Sequence, residues 1–192
     1  MASEPARPGS SSFVALIRGI NVGTSTQISM PELESIFTAA GAVEVSTILR
    51  SGNVIFSCHN STTELTDRVT NELASRFGRP VPMAVRSQAD LADLIGADPL
   101  RTDVTDESRY VVGFACYPQM SGLGEDVLTL NPDLAGPFGR STVTDGHLFM
   151  WCPTGVSNAP GMARNWERHH SISVTFRNFR TLRKILFELR CD

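Results

Sequence analysis

The chain has 192 residues, 41% of them apolar and 19% charged, and a formal net charge of −3. These values describe a globule of one domain or two small ones, with enough apolar side chains for a real core. No run approaches the ~20 apolar residues that a membrane-spanning helix needs, so a membrane-embedded function is not expected.

Residues 1–12 are rich in Ser, Pro, Gly and Ala and lack the apolar stretch of an export signal. They read as a disordered tail, and cytoplasm is the expected location. Phe13 to Ile17 is a continuous apolar run, the pattern of a strand buried on both faces. Ser29-Met30-Pro31-Glu32 has the form of a capping box with proline in the first turn. Leu33, Ile36, Phe37 and Ala40 then recur at helical spacing, and Gly41 ends the helix. Val43 to Leu49 and Val54 to Cys58 read as a hairpin about Ser51-Gly52-Asn53. Thr63 to Phe77 has an apolar stripe of Leu65, Val69, Leu73 and Phe77, and Val81 to Val85 closes as a strand beside Pro80 and Pro82.

This order is β-α-β-β-α-β, the ferredoxin-like split βαβ unit. Gln88 to Ile95 follows as a short helix. The second half repeats the theme. Tyr110 to Tyr117 reads as a strand, Leu123 to Leu130 as a helix, and Ser141–Thr144 with Leu148–Cys152 as a hairpin around Asp145-Gly146. Ala159 to His169 can be helical, Ile172 to Phe176 alternates as a strand, and Phe179 to Leu189 is an amphipathic helix. The expected fold is therefore α+β, two ferredoxin-like modules with mainly antiparallel sheets. They run over residues 13–97 and 109–192, with 98–108 as linker. Several strands are apolar on both faces, so the helix-free face of each sheet needs a cover.

Two polar signatures lie at strand ends. One is Arg18-Gly19-Ile20-Asn21-Val22-Gly23; the other is Arg50-Ser51-Gly52-Asn53. The split βαβ topology brings both to one edge of the first sheet. Two guanidinium groups, two amides and glycine-rich backbone suit a phosphate, a carboxylate or a nucleotide edge. Arg18, Asn21, Gly23, Arg50, Ser51 and Asn53 are thus the ligand-binding candidates, with Arg177 and Asn178 secondary. The competing reading is structural, the arginines pairing locally and the asparagines satisfying turns.

The same residues carry a family resemblance. Phe13 to Gly23, Met30-Pro31-Glu32-Leu33 and Ser51 to Ser57 resemble motifs of the bacterial DUF1697 family of uncharacterised proteins. Arg177-Asn178-Phe179-Arg180-Thr181-Leu182-Arg183-Lys184 is similar to that family's closing segment, with Phe179 in place of its usual tryptophan. Cys152 to Asn158 lacks the family's usual Gly-Arg-Ser-Lys stretch. The resemblance implies two ferredoxin-like modules and no particular reaction.

Other chemistry is weakly signalled. Cys58, Cys116, Cys152 and Cys191 form no C-x-x-C pair, and reduced, buried thiols are expected. There is no nucleophile elbow beside Ser51, no P-loop and no Rossmann glycine pattern, so no cofactor and no metal is expected. His59 and His147 beside turns, and the pair His169-His170, read as solvated. Residues 164–190 carry seven basic side chains against Glu167 and Glu188, whereas residues 1–163 sum to −7. The leading functional expectation is a small-molecule binding protein, or an enzyme of unknown reaction, with an anionic or nucleotide-like ligand. The alternatives are a nucleic-acid-associated protein using the basic C-terminal face, or a protein-interaction module without catalysis.

Overall fold

The computed structural model describes residues 11–59, 61–117, 141–156 and 172–190. The helices expected at 123–130 and 159–169, the histidine pair 169–170 and most of the N-terminal tail lie outside those residues. The protein is α+β, with two four-stranded antiparallel sheets.

The first sheet comprises β1 (Ser11–Ile17), β2 (Val43–Ile48), β3 (Asn53–Cys58) and β4 (Met83–Ser87), in the order β2-β3-β1-β4. The second comprises β5 (Tyr110–Ala115), β6 (Ser141–Thr144), β7 (His147–Trp151) and β8 (Val174–Asn178), in the equivalent order β6-β7-β5-β8. The helices are α1 (Met30–Ala39), α2 (Thr62–Phe77), α3 (Gln88–Ala97) and α4 (Phe179–Leu189). β1 starts inside the stretch read as tail. Ser11 and Ser12 pair with Cys58 and Ser57, so the ladder, not composition, sets the start.

Local chemistry accounts for the helix starts. The Ser29 hydroxyl accepts from the Glu32 amide at 3.3 Å and opens α1. The Glu32 carboxylate does not complete a capping box. It pairs instead with Arg76 of α2 at 2.6 Å. A reciprocal box occurs at α3, where Ser87 and Asp90 each accept from the other's amide at 3.1 Å.

Period-two alternation divides the first sheet between two cores. Ala15, Ile17, Val54, Phe56, Met83 and Val85 face α1 and α2, against Leu33, Phe37, Leu65, Val69 and Leu73. Val14, Leu16, Ile55 and Ala84 face the other way, into a core shared with Tyr110, Val112, Phe114 and Phe149 of the second sheet and with α3 and α4. The second half of the chain thus supplies the cover that the apolar strands require. Residues 98–108 also take part, since Leu100 is buried in the shared core and the Tyr110 hydroxyl donates to Asp98 at 2.7 Å.

Candidate functional site

β1 ends at Ile17, beside the β2–β3 turn, and both polar signatures meet there. The segment after β1 folds back on itself. Asn21, at φ 55°, donates from its backbone to the Thr26 carbonyl at 2.8 Å. Its side-chain amide donates to the Arg50 carbonyl at 2.9 Å and accepts from the Ile28 amide at 3.0 Å. The Asn21 side chain is therefore a clamp between the loop and the turn. Gly52 must be glycine here. Its φ is +79°, and a Cβ would stand 2.8 Å from Ile20 Cδ1 and 3.2 Å from Ile17 Cβ.

The space between the two signatures is filled by protein. Asn53 is fully buried, and its amide donates to the Ile48 carbonyl at 2.8 Å and to Ser51 Oγ at 3.1 Å. Its Oδ1 accepts from Arg177 Nε. The Arg177 guanidinium comes from β8 of the second sheet. Its Nη2 donates to the carbonyls of Ile17, Ser51 and Gly52 at 2.8–3.2 Å, and its Nη1 to Thr175 Oγ1 and the Phe176 carbonyl. Burial draws the Arg177 pKa down to about 10, and the group stays cationic at neutral pH. Asn178 caps α4 by accepting from the Thr181 amide at 2.8 Å. Thus Asn21, Asn53, Arg177 and Asn178 are all engaged by the protein itself.

The two arginines of the signatures differ. The Arg50 side chain is exposed on the turn, whereas Arg18 is half-buried. Arg18 lines an open cleft of about 400 Å³ with Gly19, Arg79, Pro80, Pro82 and Ser173. Burial lowers the Arg18 pKa, and the neighbouring Arg79 charge lowers it further. No carboxylate is among the described residues lining this cleft.

The profile of the family described as "Protein of unknown function (DUF1697)" matches residues 11–129. The chain belongs to this family. No curated protein matches it significantly. Among solved structures it is similar to the conserved bacterial protein SP0830 from Streptococcus pneumoniae, with a TM-score of 0.74 and 22% identity. The likeness covers 94% of this chain and 99% of that one, and it is a likeness of fold.

Beyond the expected residues, this DUF1697 chain brings three others to clefts. Arg79 precedes β4, and β4 runs antiparallel to β1, so the start of one lies beside the end of the other. That adjacency was implicit in the topology. Arg86 sits opposite Val14 in the β1–β4 register, on the face turned toward the second sheet. A charge in an otherwise apolar strand was the available signal. His147, expected to be solvated, is half-buried because the β6–β7 hairpin lies against β4 and Phe114. Its Nε2 accepts from Arg86 Nε at 3.1 Å, which leaves Nδ1 to carry the proton toward the Asp145 backbone. Burial, reinforced by the Arg86 charge, lowers its pKa to about 4. Cys116 is buried, and burial pushes its thiol up to about 11 despite Arg18, Arg177 and Arg86 nearby. It is not a ready nucleophile.

Proposed function

We propose that this protein binds an anionic small molecule, a phosphate ester or carboxylate, in the cleft bounded by Arg18 and Arg79. The observation that carries this reading is that two guanidinium groups, Arg18 and Arg79, are brought to one cleft. Such a pair suits a di-anionic group, because each arginine offers charge-assisted donors in a planar fork. Arg50 stands on the adjoining turn as a further exposed cation, and Asn21, Asn53 and Arg177 hold the frame on which Arg18 is mounted. Buried, unbridged Cys58, Cys116 and Cys152 fit a reducing compartment such as the cytoplasm. Among the described residues, no helix is long and apolar enough to cross a membrane.

The nucleic-acid alternative draws less support. Arg177 is buried, and Arg180 and Arg183 face Asp106 and Glu107 at 3.6 and 2.7 Å. Much of the described basic stretch is thereby neutralised at close range.

A thermal-shift titration with inorganic phosphate, nucleoside monophosphates, sugar phosphates and small di- and tricarboxylates, at constant ionic strength, tests the proposal. At least one should raise the Tm saturably, as native-state ligands do. Arg79→Ala should abolish that shift and leave the unliganded Tm nearly unchanged, since exposed side chains contribute little to folding. An undiminished shift in Arg79→Ala, or no shift with any of these anions, overturns it.

A further inference from the structure

A second cleft, of about 490 Å³, opens between β4 and α3 on one side and the β6–β7 hairpin on the other. Its charges are arranged by depth. Arg86 is only 8% exposed and lies over the Phe114 ring at 5.5 Å. Its Nε is held by His147 and its Nη1 by the Val85 carbonyl at 2.7 Å. Among the described residues its Nη2 has no hydrogen-bond partner, and no carboxylate is in ion-pair contact with the guanidinium. A buried cation without a paired anion is costly, and the cost is relieved by an anion delivered to it. Asp90, Asp93 and Asp145, all exposed, line the same cleft nearer solvent. Leu94 and Phe149 supply apolar wall.

A simple anion would meet the three rim carboxylates, and a simple cation would meet Arg86. One chemistry satisfies both depths. We infer that this cleft binds a small zwitterion of the free amino-acid type, carboxylate inward on Arg86 and ammonium outward among Asp90, Asp93 and Asp145. The ligand's side chain then lies on the apolar wall. The cleft volume is in the range of small-molecule sites. The Arg86–His147 bond fixes the guanidinium in place, so no rotamer search is needed on binding. His147 is a positioning residue here, both ring nitrogens being engaged by protein.

The test is isothermal titration at neutral pH with free L-amino acids of graded side-chain size, their methyl esters and their N-acetyl derivatives. At least one free amino acid should bind, and blocking either end should weaken it about tenfold through loss of a charge-assisted contact. Asp93→Asn and Asp145→Asn, both on the exposed rim, should each weaken binding about threefold, and Arg86→Met should abolish it. If Arg86→Met fails to fold, the rim variants and blocked ligands decide. Arg79→Ala should bind the amino acid normally, which separates this cleft from the anion cleft. Equal binding of esters or of N-acetyl derivatives overturns the inference. So does unchanged affinity in both rim variants, or no binding of any free amino acid at millimolar concentration.

Discussion

Arg177 is a buried cation stabilised by acceptors, with no carboxylate among the described residues in ion-pair contact. Four backbone carbonyls, the Thr175 hydroxyl and the Asn53 amide oxygen surround its guanidinium. Each carbonyl is fixed by sheet or turn geometry, so the site is preformed and the desolvation of the charge is offset by many oriented dipoles. This makes Asn53 a structural residue with a measurable signature. Asn53→Ala removes the buried side-chain partner of Arg177 Nε and of the Ile48 carbonyl. It should destabilise the fold by about 1–3 kcal/mol in equilibrium urea unfolding. A loss below about 0.5 kcal/mol, the usual scale of surface changes, would mean that the bracket tolerates a missing acceptor.

Among the elements, α4 combines a polar start with an apolar face. Asn178 caps it, while Phe179 is 1% exposed and stacks on Tyr110 with ring centroids 4.8 Å apart. Phe179 thus occupies the core shared by the two sheets. Asn178→Ala should cost about 1 kcal/mol and Phe179→Ala roughly 3–5 kcal/mol, read from urea midpoints. Similar, negligible costs for both would show that α4 is not anchored by this face. The α4 bounds and the β6 bounds were legible because an Asn cap and an Asp-Gly turn are local signals. β4 and β8 begin two residues later than their apolar runs suggest. Hydrogen bonding to β1 and β5, rather than hydrophobicity, sets where they start. The convergence of the Arg18 and Arg50 segments was legible from topology as well. Their closure by Arg177 was not, because that contact joins residues 124 apart in sequence and no local pattern announces it. The Arg86–His147 pair was hidden for the same reason.

For the whole molecule, one core drawn from both sheets implies that neither half unfolds alone. Urea or heat should give a single transition by fluorescence and circular dichroism alike. Its pH dependence has a definite sign. The folded pKa of His147, about 4, lies below its ordinary value of 6.5. Between those values the unfolded chain binds the extra proton, so the contribution is fully present above pH ~6.5 and is lost as pH falls toward ~4. The slope is at most about 1.4 kcal/mol per pH unit. Burial and then the Arg86 charge oppose the imidazolium, and Asp145 and Asp90 moderate it. His147→Gln should flatten the slope between pH ~6.5 and ~4; an unchanged slope, or two resolved transitions, would contradict this picture. The bracket around Arg177 also imposes an order in time. Synthesis delivers Asn53 124 residues before its guanidinium partner, an interval on the order of ten seconds at ordinary elongation rates. Throughout that interval the nascent first sheet holds an unfilled polar notch, and its Val14–Leu16 face lacks the cover that Phe179, Leu182 and Ile185 of α4 later add. A fragment ending before residue 177 should keep both features and be cut faster than the full chain in limited proteolysis.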